Sequence, residues 1–376
     1  MRFPGFEGEW EVKKLGEIAK FSKGKGISKS DISEDGSLEC VRYGELYTFY
    51  DEVIDYIQSK TNLSSKDLVL SEANDVIIPA SGESSIDIAT ASCVTKSGVA
   101  LGGDLNIIKT SHNGIFLSYY LNSKKKLDIA QLSQGISVVH LYSTQLASLS
   151  LNLPSIEEQN KIATFLSEIS SRIELSMKTI SELEKLRRQI EVDLLSQKIK
   201  FKNEIGNNYP DWKRIKIEEI CEKQSSNISA NKIEDNFGEF PIYGATGFLK
   251  NIDFYEIESD YIAIIKDGAG VGRLLLCNGK SSVLGTLDII KPNNVNLYFL
   301  YCLLSNIDFN KYIIGSTIPH IYFKDYRNEY CMIPSLEEQT KIADFLSKIS
   351  EKIETEMKIL ELLEQQKKYF LQNLFI

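Results

Sequence analysis

PSIEEQNKIATFLSEIS, residues 154–170, returns 180 residues later as PSLEEQTKIADFLSKIS, residues 334–350, with 13 of the 17 positions identical. The region before each copy opens with a tryptophan and a basic, apolar-alternating stretch, WEVKKLGEI from Trp10 and WKRIKIEEI from Trp212. The chain of 376 residues is therefore two copies of one unit. A repeat of this length predicts two related surfaces held at a fixed separation.

The repeated block begins a long amphipathic helix in each copy. Apolar residues recur at steps of three and four from Ile162 to Leu194 and from Ile342 to Leu374. A stripe sustained over about ten turns is typical of a coiled-coil seam. The residues predicted to form the helix–helix and partner interface are Ile162, Leu166, Ile169, Ile173, Met177, Ile342, Leu346, Ile349, Ile353 and Met357.

Both helices are predicted to start with the same cap. Ser155 with Glu158, and Ser335 with Glu338, fit the S-x-x-E capping box, in which hydroxyl and carboxylate each satisfy a backbone N–H. The first helix would be about 55 Å long at about 1.5 Å per residue. Because the connection that follows it is short, the second helix can bury its stripe only by running back antiparallel.

The region before each helix predicts a mixed α/β domain of short strands followed by a helix. The sequence thus predicts an α+β fold, with two mixed α/β domains separated by two long antiparallel coiled-coil helices in a pseudo-twofold repeat. The predicted segments are residues 1–152 for the first domain, 153–199 for the central helix, 200–332 for the second domain and 333–376 for the C-terminal helix. The predicted strands are DVIIPAS from Asp75, DIATASCV from Asp87, GDLNIIK from Gly103, DYIAIIKDG from Asp260, GRLLLC from Gly272 and GTLDIIK from Gly285, and the predicted helices are IFLSYYL from Ile115 and LYFLYCLL from Leu297.

Charge and composition limit the classes of function that the chain can have. A formal net charge of −9 argues against a simple basic nucleic-acid binder, so any such contact must be local or shared with basic partners. The six cysteines form no CxxC pair and the chain has three histidines, so we expect free thiols and no metal. No segment reaches the roughly 18 apolar residues of a membrane span, and the N-terminal residues lack the apolar core of a secretory signal, which predicts a cytoplasmic protein.

Catalytic motifs do not emerge from the sequence. KDGAGVGR, Lys266–Arg273, lacks the GxGxxG spacing and is interpreted as a turn, with SGES at Ser81–Ser84 as its counterpart in the first copy. GxSxG, the P-loop lysine motif, the zinc-deaminase pattern and HExxH are absent. We therefore expect a chain that is not an enzyme and binds no cofactor.

Several loops place cations and polar or aromatic groups beside glycine, a composition that suits phosphate and base-edge contacts. For any single residue a solvated surface charge remains the alternative. His140 and His320 fall 180 residues apart in the aligned stretches QGISVVHLYS and IGSTIPHIYF, which fits a structural role as well as recognition. The candidate DNA-binding residues are Ser22, Lys23, Lys25, Arg42, Tyr43, Ser81, Gln134, His140, Gln224, Ser225, Tyr243, Lys266, Arg273, Ser316 and His320.

Two units, each a variable α/β domain followed by a PS-[IL]-EEQ-x-KIA-x-FLS-x-IS helix, resemble the DNA specificity subunits of type I restriction–modification systems. The resemblance spans nearly the whole chain. It implies that each variable domain is a target-recognition domain for one half of a bipartite, asymmetric site in double-stranded DNA, and that the helices set the spacing.

The resemblance also implies partners. Methyltransferase (modification) subunits would bring S-adenosylmethionine, and a restriction and translocase subunit would bring ATP and Mg²⁺, leaving this chain non-catalytic. A protein-binding structural adaptor with a helical stalk is the alternative, and a self-contained nuclease or methyltransferase is a further one that no motif supports.

Overall fold

A computed structural model describes residues 1–135 and 138–375, and the chain divides into two units that repeat one plan. Unit 1 comprises Met1–Met177 with Lys358–Ile376, and unit 2 comprises Lys178–Met357. Each unit thus holds one α/β domain, the start of one long helix and the end of the other. The internal repeat predicted from the sequence is confirmed.

Unit 1 is built from short strands and a few helices, followed by a helix that continues into unit 2. Its strands are β1 (Glu11–Lys14), β2 (Ala19–Lys23), β3 (Leu38–Val41), β4 (Val53–Ile54), β5 (Ser59–Thr61), β6 (Val69–Leu70), β7 (Asp75–Pro79), β8 (Ser81–Gly82), β9 (Ser92–Val94), β10 (Ala100–Leu101), β11 (Leu105–Thr110), β12 (Val139–His140) and β13 (Ser150–Leu153). Its helices are α1 (Leu15–Ile18), α2 (Ser85–Ile88), α3 (Gly114–Ser123), α4 (Lys126–Leu132), α5 (Ser143–Ala147) and α6 (Ile156–Leu195).

A mixed sheet in the order β2-β11-β7-β9-β4 forms the centre of unit 1. A second sheet runs β5-β3-β10-β6, while β12 pairs with β8 and β1 with β13. Helix α3 covers the central sheet and buries Phe116 and Tyr120. One strand prediction is wrong in part: residues 85–88 form α2, because the Ser84 hydroxyl accepts the Asp87 N–H and caps a helical turn, and the strand begins only at Ser92.

Unit 2 repeats this plan with fewer strands. A sheet in the order β15-β21-β18-β19 corresponds to the central sheet, a smaller one runs β17-β16-β20, and β14 pairs with β22. The strands are β14 (Lys213–Lys216), β15 (Cys221–Ser225), β16 (Phe240–Gly244), β17 (Gly247–Ile252), β18 (Tyr261–Ile265), β19 (Leu274–Cys277), β20 (Ser282–Val283), β21 (Leu287–Pro292) and β22 (Tyr330–Ile333), and the helices are α7 (Ile217–Ile220), α8 (Leu297–Ser305), α9 (Phe323–Tyr326) and α10 (Leu336–Asn373).

Within unit 1 the beginning of α6 packs against the end of α10. The rings of Phe165 and Phe370 lie 4.8 Å apart, and Ile162 is buried in the same core as Leu374. Farther from that end, Ile173 lines a groove together with residues 364 and 367–368. Later residues of α6 thus contact earlier residues of α10, so the two helices are antiparallel, as predicted.

Unit 2 contains the other two halves of these helices in the matching arrangement. Leu194 is buried with Ile342 and Leu346, and the Arg187 Nε donates to the Ser350 hydroxyl at 2.8 Å. The antiparallel pairing of α6 and α10 is therefore confirmed in each unit by itself.

Most of the predicted seam is buried, but its last member in each helix is not. Met177 and Met357 are 56% and 53% exposed. After Ile173 the buried position is Ser176, three residues on, whereas Met177 is four residues on. Because an α-helix has about 3.6 residues per turn, a stripe of alternating three- and four-residue steps drifts toward the edge of the buried face. Met177 still lines the groove with Ile173, and the place of both methionines in the helix–helix and partner interface stays a prediction.

The predicted capping boxes form only by half. The Ser155 hydroxyl accepts the Glu158 N–H at 3.3 Å, and Ser335 accepts the Glu338 N–H at 3.4 Å. Among the hydrogen bonds of the described residues, neither glutamate returns the bond with its carboxylate. The carboxylate of each instead accepts from a residue far away in the sequence, and this half of the prediction is wrong.

Those two distant donors differ between the units. Glu158 accepts two hydrogen bonds from Arg2, at 2.8 and 2.7 Å, whereas Glu338 accepts the indole N–H of Trp212 at 3.1 Å. Trp10 stands where Trp212 does, with its ring 6.1 Å from a phenylalanine as in unit 2, but its buried N–H has no partner among the described residues. Burial raises the pKa of Glu338, and the Trp212 N–H opposes that rise.

The pair of tryptophans offers a matched test of this bond. Replacing Trp212 by Phe should lower the free energy of unfolding by about 1–2 kcal/mol more than replacing Trp10 by Phe does. Both substitutions remove similar ring surface, but the first also leaves the buried Glu338 without its donor. Chemical denaturation of the two variants measures the difference, and equal losses would show that the Trp212 bond adds no stability.

Phe375 closes the core of unit 1 from the end of the chain. Its side chain is 1% exposed and its ring lies 5.5 Å from Phe116 and 5.4 Å from Tyr120. Phe375→Ala should therefore lower the free energy of unfolding of unit 1 by about 3–5 kcal/mol. Leu362→Ala is the control, because Leu362 is 58% exposed on α10, the helix that precedes Phe375, and should change stability by no more than about 0.5 kcal/mol. Denaturation followed by Trp10 fluorescence in a Trp212→Phe background reports unit 1, and similar midpoints for the two variants would contradict the packing.

Candidate nucleic-acid interface

In unit 1 several candidates meet where the central sheet ends beside β12. Lys23, the last residue of β2, pairs in register with Asn106 of β11, and Ser81 pairs with His140 of β12. The ring of Tyr142 stacks on that of His140 with centroids 6.3 Å apart, and the Lys23 ammonium lies 5.8 Å from the Tyr142 centroid. Lys23 and His140 therefore share one surface, with Ser81 buried beside His140. Tyr142 joins them although the sequence analysis did not select it.

Asn106 lies beneath this surface and is fully buried. Its amide donates to the carbonyl of Leu141 at 2.9 Å and so fixes the segment that carries His140 and Tyr142. Its side-chain oxygen has no partner among the described residues. Asn106 stands inside an apolar strand, carries no motif and is not among the candidates predicted from the sequence.

Unit 2 builds the same edge from equivalent strands. Asp267 pairs with His320, as Ser81 does with His140, and its carboxylate lies 2.7 Å from the His320 Nδ1. The Tyr322 ring stacks on His320 at 6.4 Å, and the Lys324 ammonium lies 5.2 Å from the Tyr322 centroid. The alignment of the two histidines predicted from the sequence is confirmed in three dimensions. His140 is exposed and His320 half-buried, so neither is a core histidine.

A buried carboxylate gathers three further side chains in unit 2. Asp288 is 5% exposed and lies 3.1 Å from the Lys266 ammonium, 3.6 Å from that of Lys223 and 2.9 Å from the Ser225 hydroxyl. Two ammonium groups thus flank this one carboxylate. The candidates Lys266 and Ser225 are thus brought together, while neighbouring Gln224 accepts from Lys291 at 2.9 Å.

The remaining candidates have varied surroundings. The Arg42 guanidinium is held by the carboxylate of Glu45, 2.9 Å away and itself buried, and Tyr43 packs on Tyr47. Arg273 donates to the carbonyl of Ala245. Lys25, Ser22 and Ser316 are exposed, Gln134 exchanges backbone bonds with His140, and Tyr243 packs on Phe248. In the stretch from Gln134, residues 136 and 137 lie outside the described part of the chain.

The glycine-rich segment Lys266–Arg273 is the turn between β18 and β19, as interpreted from the sequence. Gly268, Gly270 and Gly272 adopt φ values of 86°, 85° and 85°, which favour glycine. At Gly272 a Cβ would also come within 2.8 Å of Phe309. Close packing and a left-handed backbone therefore account for these glycines without a bound nucleotide.

The ionisable groups of the described residues form no cluster of three or more His, Cys, Asp or Glu side chains suited to a metal ion. Five of the six cysteines are buried. Burial raises the pKa of Cys40 and Cys331 to about 11 and that of Cys93, Cys221 and Cys277 to about 12. These thiols are protonated at neutral pH and so are poor nucleophiles. None of the described helices is long and apolar enough to cross a bilayer.

Two domains on one backbone plan, each ending in a paired long helix, are the architecture of DNA specificity subunits. The chain matches the type I restriction modification DNA specificity domain twice, over residues 7–185 and 209–365, and belongs to that family. Its role is therefore DNA sequence specificity in a type I restriction–modification system, and the resemblance found in the sequence is confirmed.

Individual relatives give the same result. The type I restriction enzyme MjaVIII specificity subunit of Methanocaldococcus jannaschii is 26% identical over 400 residues, covering 96% of this chain and 90% of the relative. The EcoR124I/EcoR124II specificity subunit of Escherichia coli is 30% identical over 193 residues, 50% of this chain and 46% of the relative. The solved S subunit of a type I system from M. genitalium has the same fold, with a TM-score of 0.73 at 18% identity, covering 100% of this chain and 97% of that one.

Proposed function

We propose that each domain reads one half of a bipartite, asymmetric site in double-stranded DNA and that α6 and α10 set the number of base pairs between the halves. The observation that carries this proposal is a backbone shared by the two units with different polar side chains at equivalent positions. The strand registers make two such pairs equivalent: Ser81 with Asp267, and Asn106 with Asp288.

Different side chains on the same backbone suit different targets. Base edges in the major groove present distinct patterns of donors and acceptors. The two reading edges are supported from beneath by different buried groups, the amide of Asn106 and the Asp288 anion with its lysines, and so suit different bases. Two reading surfaces that differ in this way recognise two dissimilar sequences. An asymmetric site is the consequence.

The long helices support the spacing role. Helix α6 has 40 residues, a length of about 60 Å, and it starts in unit 1 and ends in unit 2 without interruption. Half-sites one turn of B-DNA apart are separated by about 34–36 Å, which is within the reach of such an element. In this proposal the length of the helices sets the gap between the half-sites.

We assign the chemistry to partner subunits. In this proposal the chain binds no cofactor, modification subunits bring S-adenosylmethionine, and a restriction and translocase subunit brings ATP and Mg²⁺. Methylation of a base requires its extrusion from the duplex, so the specificity chain holds DNA while a partner reacts with it. The net charge of −9 fits this division, because partners would supply much of the phosphate neutralisation. Since the target is cellular DNA, we place the protein in the cytoplasm.

The test is selection of DNA by the chain assembled with its modification subunits. A random duplex library passed over the immobilised complex should yield one pair of half-sequences at one fixed gap. Duplexes with each half scrambled in turn are the controls, and each should bind at the non-specific level. Equal retention of intact and scrambled sites would contradict the proposal and favour a structural adaptor that binds proteins. Cleavage or methyl transfer by the isolated chain would contradict the non-catalytic assignment.

A further inference from the structure

Both units carry a lysine, a tyrosine and a histidine close together, at the end of the central sheet where His140 or His320 lies. In unit 1 a lysine ammonium lies over the face of Tyr142, whose ring stacks on His140 at an angle of 26° between planes. In unit 2 another lysine lies over the face of Tyr322, whose ring stacks on His320 at 16°. We call these groups the Lys–Tyr–His sets, composed of Lys23, Tyr142 and His140 in unit 1 and Lys324, Tyr322 and His320 in unit 2.

The two lysines do not come from equivalent positions. Lys23 ends strand β2, where the equivalent residue of unit 2 is Ser225. Lys324 lies in α9, two residues after Tyr322, where unit 1 has Thr144. A duplicated backbone alone would have repeated the lysine at one place. The two units therefore share the arrangement of ammonium, tyrosine ring and imidazole, although the lysine comes from β2 in unit 1 and from α9 in unit 2.

The lysines and tyrosines of these groups are open to solvent, as is His140, whereas His320 is half-buried with the Asp267 carboxylate 2.7 Å from its Nδ1. Tyr142 and Tyr322 are 46% and 43% exposed. Within residues 1–135 and 138–375 neither Lys23 nor Lys324 takes part in an ion pair, in contrast to Lys266, which is paired with Asp288. A lysine held over an aromatic face keeps its charge and its three N–H donors, because the ring orients the ammonium without neutralising it.

We propose that the two Lys–Tyr–His sets bind the sugar–phosphate backbone of DNA, one in each half-site. The inference rests on the proposed function, and it distinguishes residues that hold the DNA backbone from residues that read the bases. The base sequences of the two halves differ while their phosphates are the same, so residues that differ between the units suit the bases and a constellation present in both suits the phosphates. An ammonium with tyrosine and histidine polar groups beside it matches an anion lined with acceptor oxygens.

The experiment measures how DNA binding by the complex with modification subunits depends on salt. Lys23→Ala and Lys324→Ala should each weaken binding by about 8-fold at 0.1 M salt, the loss expected for one phosphate contact, and reduce the slope of log K against log salt by about one. The loss should be the same for specific and scrambled duplexes. The selected half-sequences and the gap should stay unchanged.

Matched variants separate position from charge. Lys20→Ala removes an exposed lysine three residues earlier on β2, on the opposite face of the strand, and Lys311→Ala removes an exposed lysine of unit 2; neither should change affinity or slope. Tyr142→Leu and Tyr322→Leu keep the ammonium but remove the ring that orients it. They should weaken binding by about 2- to 5-fold and leave the salt slope near that of the unaltered complex.

Three results would overturn the inference. Unchanged slopes for Lys23→Ala and Lys324→Ala would show that these lysines contact no phosphate. A change in the selected bases would show that they read sequence. Loss of assembly with the modification subunits, seen by gel filtration, would assign the sets to a protein contact. Failure of the proposed function looks different, because the unaltered complex would then select no bipartite sequence at all.

Discussion

Deleting one heptad from each long helix is expected to shorten the preferred gap between the half-sites by about three base pairs without changing either half-sequence. Residues 174–180 and 354–360 are the matched segments, because they are 180 residues apart in the repeat. Seven residues span about 10.5 Å of helix, and B-DNA rises about 3.4 Å per base pair. A heptad is close to two turns, so the apolar stripe returns nearly to its original face.

The measurement is selection from a library in which both half-sequences are fixed and the gap varies. Binding at the original gap should fall to the non-specific level while a shorter gap takes its place. A variant in which the same two heptads are replaced by other helix-forming residues of equal number is the control and should keep the original gap. If the deletion variant still prefers the original gap, the helices do not set the spacing.

Exchanging the first domain for that of a relative is expected to replace one half of the recognised sequence completely and to leave the other half and the gap unchanged. The junction belongs after residue 153, because β13 pairs with β1 and an earlier junction within residues 150–153 would join parts of β13 from different proteins. The donor should carry aromatic residues at the positions of Phe116 and Tyr120, since Phe375 of the recipient packs on both. Selection from a random library reads both halves at once.

A reciprocal exchange of the second domain is the matched control and should alter only the other half. A change in both halves after either exchange would mean that the domains do not read independently. Loss of all binding is informative only beside a folding measurement, and denaturation of the chimaera supplies it: a folded chimaera that selects nothing would also contradict modular reading.

The repeat made most of the fold predictable. Because the two copies of the PS-x-EEQ block share 13 of 17 positions, the apolar stripes, the first turns of both helices and the antiparallel pairing followed from periodicity and linker length. Of the central-sheet strands, β7, β11, β18, β19 and β21 were visible as short apolar runs beside glycines and β9 only in part, whereas β2, β4 and β15 were not predicted. The local sequence pattern is enough to predict an element whose structure is decided by residues close together in the sequence.

Contacts between distant residues were not predictable. Arg2 reaches Glu158, and this bond replaces the local one that a capping box requires. Met177 is 56% exposed although it is apolar, because helical drift places it at the edge of the buried face. Arg42 was selected as a free cation and is held by Glu45, a carboxylate that only the folded chain shows to be buried.

The candidate site was predictable in part. The two histidines were found from their alignment, and the tyrosines two residues later are repeated in the same stretches, so Tyr142 and Tyr322 carried a signal that was available. The lysines over these rings come from different elements and could not be paired with them from sequence. Asn106 and Asp288 lie inside apolar strands, where a single polar residue gives no indication of what it supports.

Mapping methylated bases in a genome, with this chain present and absent alongside the same modification subunits, tests the central claim most directly. The account predicts one added set of modified sites that share two dissimilar half-sequences at a single gap, and that set should vanish when the chain is removed. Modification that is independent of the chain, or sites that share one continuous or palindromic sequence, would contradict it.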